Sequence, residues 1–272
     1  MTEAPADSDP LQTDIAHHIW RTKYRHDNEP DVAATWDRVA GTLAAVEPRD
    51  PARWRHRFRQ ALAGFRFLPG GRILAGAGTG HRVTLFNCFV MGRIADSMDG
   101  IFNALKEGAL TMQQGGGVGY DFSSLRPRGT VTRHTHTIAS GPVSFMAIWD
   151  AMCATVVSTG ARRGAMMATL RCDHPDIEEF VTAKTEPGRL TRFNLSVQVT
   201  DAFMDAVAAD ADWPLVFPEE ALDGDAGGET VHRWWPGHDA PVPCRVVRTV
   251  SARALWARIS RATYANAEPG VL

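Results

Sequence analysis

Apolar residues recur at helical intervals early in the chain and at strand-like intervals later. Ile15, Ile19 and Tyr24 lie ahead of Pro30, and Trp36, Val39, Leu43 and Val46 lie ahead of Pro48. Spacings of three and four residues predict helices with an apolar stripe, so residues 1–66 read as a small helical segment. After Pro69-Gly70-Gly71 the texture changes. Residues 83–91 (VTLFNCFVM) are apolar on both alternating faces, which predicts a strand buried from both sides in a parallel sheet or barrel. Asp96 or Ser97 offers the N-cap of a helix carrying Ile101, Leu105, Ala109 and Met112. The alternation then repeats. Strands are expected at 118–122, 166–170, 193–199 and 213–217. Pro142 opens a helix over 143–158 that closes on Gly160, Asp173 and Pro175 start one that runs through Lys184, and Thr200 caps another. About five β-units in this order predict α/β architecture with a largely parallel sheet over residues 67–272.

Residues 219–241 are acidic, glycine-rich and flanked by proline, and read as a loop or insertion. Ser251 caps a last helix over 252–266, ended by Pro269-Gly270. Val271 and Leu272 then fall where another strand would begin, giving the expectation of a sheet interrupted partway.

Composition narrows the function classes. The 272 residues are 44% hydrophobic and 22% charged, enough for a sizeable core in a soluble globular chain. A net charge of −2 gives no general reason to bind a nucleic-acid polymer or an anionic membrane, although local basic loops can hold a phosphate. No apolar run approaches the roughly 20 residues of a membrane span, and the first ten residues are acidic, so a cytoplasmic location is expected. The four cysteines, Cys88, Cys153, Cys172 and Cys244, lack the paired spacing of a zinc site and are expected as thiols. His134 and His136 share one side of a short run but lack further ligands, so no metal is expected there.

Eight segments in unbroken order carry a more specific signal: FLPGGRILAGAGT (67–79), LFNCFVMG (85–92), DSMDGIF (96–102), QQGGGVGYDFSSLRPRG (113–129), SGPVSFM (140–146), STGARRGAMMATL (158–170), HPDIEEF (174–180) and FNLSVQVTDAFM (193–204). Together they resemble the amino-terminal part of adenosylcobalamin-dependent (class II) ribonucleotide reductases. That resemblance implies the first half of a ten-stranded α/β barrel. It implies reduction of ribonucleotides to deoxyribonucleotides for DNA precursor synthesis, in which a thiyl radical removes the 3′ hydrogen and two further cysteines become a disulfide.

The implied roles attach to matching positions. Cys88 matches one member of the reducing pair; from the residues alone it also reads as a small core side chain on an apolar strand. Arg72, Ile73, Asn87, Gly116 and Gly117 match substrate-contacting positions, with Ser140 and Asn194 also near the nucleotide; the glycine run reads equally as a tight turn. Asp96 and Ser97 match contacts to an allosteric deoxynucleoside triphosphate, and Arg126 and Arg128 match a first specificity loop able to grip phosphate. Arg162 and Arg163, between Gly160 and Gly164, match a second specificity loop, and otherwise read as an exposed basic turn. The resemblance further implies a homodimer with the effector at its interface, and a thioredoxin-type reductant. The family's NPCGE-like segment, which carries the radical cysteine, does not occur in the sequence. The chain therefore reads as an incomplete fragment or first subunit of a split enzyme, inactive alone. The alternatives are a non-catalytic nucleotide-binding remnant or, more distantly, another thiyl- or glycyl-radical barrel.

Overall fold

The computed structural model describes residues 10–131, 138–156, 164–222 and 228–272. They fall into two compact units. One holds the described residues up to Asn87 together with Gln114–Gly116, and the other holds Cys88–Gln113 and the described residues from Gly117 onward.

The first unit is helical. Helix α1 (Asp14–Ile19) starts where the Thr13 hydroxyl accepts the Ala16 N–H, and a π-helical turn, Trp20–Tyr24, continues it. Helix α2 (Val32–Ala44) is capped by Asp31 and α3 (Pro51–Leu62) by Asp50, with Pro51 in the first turn. A short α4 (Gly71–Gly76) follows. The core is Trp20, Trp36, Val39, Ala40, Leu62, Leu74 and their neighbours. Trp36 and Val39 are buried as expected, but Ile15, Ile19 and Val46 are exposed. Helix α1 buries none of its residues, and the larger apolar area of Trp20, one position beyond it, takes the core place instead. Trp20 Nε1–H donates to Thr35, Thr35 donates to Glu29, and Glu29 pairs with Arg38 at 2.7 Å. A short buried polar chain thus ties the π-helical turn to α2.

The second unit is α/β. Strands β1 (Cys88–Val90), β2 (Gly117–Asp121), β3 (Met166–Arg171), β4 (Phe193–Gln198) and β8 (Gly270–Val271) form one parallel sheet in the order β1-β2-β3-β4-β8. Helix α5 (Met98–Gln113) links β1 to β2, and α6 (Pro142–Thr155) lies between β2 and β3. Then follow α7 (Ile177–Thr182), α8 (Asp201–Ala208), capped by Thr200, and α9 (Ala252–Asn266), capped by Ser251. Val118, Tyr120, Phe122, Met166, Ala168, Leu170, Phe193, Leu195 and Val197 alternate along the strands and pack with Trp149, Met146, Phe180 and Leu255 of the helices. One face of the sheet therefore makes the core.

Four sequence expectations are corrected. The strand foreseen over 83–91 is only Cys88–Val90, and it is open rather than buried: Val90 is 98% exposed. As the outermost strand it has one neighbour instead of two, while residues 83–87 belong to the helical unit, where Val83 and Leu85 close on Gly76. The strand foreseen near 213–217, β5 (Asp212–Pro218), leaves the parallel sheet. It pairs antiparallel with β7 (Val242–Ser251), which pairs with β6 (Thr230–Arg233), so the stretch read as a loop contains a strand. The vacated place beside β4 goes to β8, where Leu272 N–H donates to Val197 O and Val199 N–H to Leu272 O. Finally, Asp173 starts no helix; α7 begins at Ile177 because the Asp173 carboxylate is 1% exposed and taken by Arg171 at 2.8 and 2.7 Å.

Candidate functional site at the polar face and loops of the sheet

Aligned residues of neighbouring parallel strands project to the same side. Cys88 aligns with Gly117, Val90 with Gly119, Gly119 with Met167, and Met167 with Asn194. Cys88, Gly117 and Asn194 therefore share the face turned away from the helical core. The same face carries Asp121, Thr169, Arg171, Ser196 and Gln198. A hydrogen-bonded line crosses it: Gln198 Nε2 donates to Thr169 Oγ1 at 2.9 Å, Thr169 to Asp121 at 3.3 Å, and Ser123 to Asp121 at 2.6 Å. At the entrance to β3 and β4, Asn194 helps line a cleft of about 350 Å³ with Gly164, Ala165, Thr191 and Arg192. Cys88 is exposed at the start of β1, so the reading of it as a packed core residue is overturned.

The opposite, carboxyl end of the sheet is closed by side chains. Arg126 Nε donates to Asp96 Oδ2 at 2.7 Å and the Arg126 N–H to Asp96 Oδ1 at 3.2 Å. This resolves the choice of cap: Ser97 accepts the Gly100 N–H, and Asp96 serves Arg126 instead. The Arg128 guanidinium donates to Glu179 and Ser144 at 2.8 and 2.9 Å. A smaller cleft of about 160 Å³ opens beside Asp96, Ser124, Trp235 and His238. Ser140, read with the substrate set, lies at this end: its neighbour Ala139 exchanges backbone bonds with Gly129 and Thr130.

A family model described as the ribonucleotide reductase barrel domain matches residues 86–272, and one described as the ribonucleotide reductase all-alpha domain matches residues 11–82. The chain belongs to the ribonucleotide reductase family. It is 39% identical over 241 residues to the vitamin B12-dependent ribonucleoside-diphosphate reductase of Mycobacterium tuberculosis (strain ATCC 25618 / H37Rv), covering 87% of this chain and 31% of that protein. The protein of the same name from Thermoplasma acidophilum is 35% identical over 218 residues, 80% of this chain and 25% of that protein. The ribonucleoside-diphosphate reductase subunit alpha of Helicobacter pylori (strain ATCC 700392 / 26695) is 29% identical over 226 residues, 81% and 28%. The chain thus spans about a third or less of the length of these relatives.

Within this reductase barrel the thiols separate sharply. Cys172 and Cys244 are fully buried, and burial, reinforced by the Asp173 carboxylate, pushes them up to about 12 and about 11; burial also raises Cys153. Cys88 alone is exposed. Asn87, Arg72, Ile73 and Gly116 belong to the helical unit. There a glycine at position 70 leaves room for the Asn87 amide, whose Nδ2 would lie 3.3 Å from a Cβ. Arg162, Arg163, His134 and His136 lie outside the described residues. Sequence reading overlooked the Asp121–Thr169–Gln198 line, although alternation in MMATLR and FNLSVQ marks those polar positions. His174 and Asp176 fall within the helix expected to start at Asp173 and Pro175. His174 is instead fully buried, with Nε2 3.0 Å from Leu125 O. Among the described residues no group of three or more potential metal ligands occurs, and no helix is long and apolar enough to cross a membrane.

Proposed function

We propose that the chain provides the reducing thiol and nucleotide-recognition loops of a vitamin B12-dependent ribonucleoside-diphosphate reductase. The observation that carries this reading is the placement of Cys88: an accessible thiol, on the non-core face of the parallel sheet, beside Gly117 and in line with Asn194. Glycine at 117 removes the side chain next to the sulfur, which suits close approach of a ribose. Cys88 is the reductant; with a second thiol it gives up two electrons and two protons and forms a disulfide, as the 2′ hydroxyl departs as water. Asn87, Arg72, Ile73, Gly116, Ser140 and Asn194 serve the substrate. Asp96, Ser97, Arg126, Arg128, Arg162 and Arg163 serve a deoxynucleoside triphosphate effector. The Asp96–Arg126 pair favours that assignment because it presents a fixed guanidinium beside a capped helix start.

Adenosylcobalamin is the cofactor the relatives' names imply. No described residue is assigned to holding it, and no step here runs through it. The radical cysteine, a thioredoxin-type reductant and a dimeric partner complete the proposed assembly, with the chain alone inactive. The test is alkylation of Cys88 with and without a ribonucleoside diphosphate: protection is expected, and equal labelling at saturating nucleotide overturns the assignment. Deoxynucleotide formation by the chain alone with adenosylcobalamin and a dithiol overturns the inactivity. For the effector site, Asp96→Ala and Arg126→Ala are each expected to weaken dNTP binding about tenfold or more.

A further inference from the structure

We propose that His174 and Asp176 are positioning residues that fix the backbone of the 125–128 loop, and through it set effector affinity; this rests on the reading of that loop as the effector site. The loop's polar backbone groups are held by side chains from outside it. Asp96 takes the Arg126 N–H at 3.2 Å, Asp176 Oδ2 takes the Arg128 N–H at 2.9 Å, and the His174 ring meets Leu125 O at 3.0 Å. Pro127 has no N–H to offer, so these bonds and the Leu125 N–H to Phe122 O bond account for every N–H of the segment.

The imidazole has one tautomer available. Its Nδ1 accepts the Asp176 N–H at 3.0 Å, so the proton sits on Nε2 and is donated to Leu125 O. The ring is edge-on to Phe217, 5.5 Å between centroids, and has no solvent exposure, so it cannot rotate to another partner. Protonation would place a second N–H against the Asp176 N–H and break the clamp. Burial opposes that protonation, although the Asp176, Asp173 and Asp121 carboxylates facing the ring favour it. Gly141 completes the arrangement. At φ 78° it passes so close that a Cβ would stand 2.6 Å from Asp176 Oδ2 and 2.9 Å from Arg128 Cβ.

Asp176 gives the decisive test because it is only half-buried, and because electrostatics and clamping predict opposite signs. Removing a carboxylate near a phosphate site should tighten dNTP binding if charge were its only role. The clamp predicts that Asp176→Ala weakens binding of dATP and dTTP about tenfold, while Asp176→Asn, which keeps an oxygen for the Arg128 N–H, stays within about twofold of the unmodified chain or binds tighter. Asp176→Ala should also speed trypsin cleavage after Arg128. In the same series His174→Asn, which loses the donor to Leu125, weakens binding, and His174→Gln, whose amide can supply it, restores part of the loss. If the His174 variants do not fold, the Asp176 pair decides alone. Unchanged or tighter binding by Asp176→Ala, with Arg126→Ala weakened, overturns the clamp and leaves the effector reading standing. If Arg126→Ala also binds normally, both fall.

Discussion

The two ends of the parallel sheet are built on opposite principles. At its amino end Cys88 and Asn194 stand exposed, Asn194 lining a cleft, and Val90 of the same outermost strand as Cys88 meets solvent. At its carboxyl end Asp173 is buried between Arg171 and Arg233, the two guanidiniums lie over Trp235 and Trp213, and His174, Asp176 and Asp96 tie down the loop that follows β2. Redox chemistry needs a thiol that a ribose and a second sulfur can reach. A regulatory loop needs a backbone whose donors point in fixed directions before the ligand arrives, because ordering it on binding would cost affinity. An open end and a clamped end of one sheet suit the two roles proposed for Cys88 and for the 125–128 loop.

The largest expected contrast is in thiol reactivity. With Cys172 held at about 12, only about one part in ten thousand is thiolate at pH 8, and Cys153 and Cys244 are also raised and buried. Native alkylation should therefore modify one thiol quickly, and mapping should place it at Cys88; rapid labelling of a second cysteine would break the contrast. Next comes Asp173→Ala. It leaves the Arg171 guanidinium, 14% exposed, without its main counter-charge and is expected to cost about 3–5 kcal/mol in urea unfolding. Acid should then act on the two units in different windows. Burial depresses His174 below its ordinary 6.5, so the unfolded chain takes the proton first. Stability is full above pH 6.5 and falls as pH drops below it, by up to about 1.4 kcal/mol per unit. In the helical unit, burial alone would raise Glu29, but bonds from Arg38, Thr35 and the His26 N–H outweigh it and bring it below 4.5. Its contribution persists until pH falls past 4.5, so exchange protection should fade first around His174. Smallest is Cys88→Ser, expected within about 0.5 kcal/mol because the exposed sulfur supports little packing.

Much of this was legible in the residues. Thr200, Ser251 and Pro142 marked helix starts because capping and proline geometry are local. The strands at 118–122, 166–170 and 193–199 stood out by period-two alternation. The pattern failed at β1 and β5. Apolar residues on both faces of VTLFNCFVM suggested burial that an outermost strand cannot have, and Trp213–Phe217 looked like its predecessors yet pairs antiparallel with a strand some thirty residues further on. Among site residues, Asp96 and Arg126 were named separately; their contact across thirty residues was not foreseeable from either.

The sequence by itself determined the local grammar: where helices start, which strand positions are apolar, and which segments resemble the reductases. That follows because capping, alternation and motif chemistry act between residues a few positions apart. Tertiary structure alone decided that β8 rather than β5 completes the row beside β4, that Cys88 is the open thiol and Cys172 the buried one, and that a histidine read as helix start holds the loop fifty residues earlier in the chain. Those outcomes depend on which distant surfaces exclude water from each other, and that is settled only when the strands take their order.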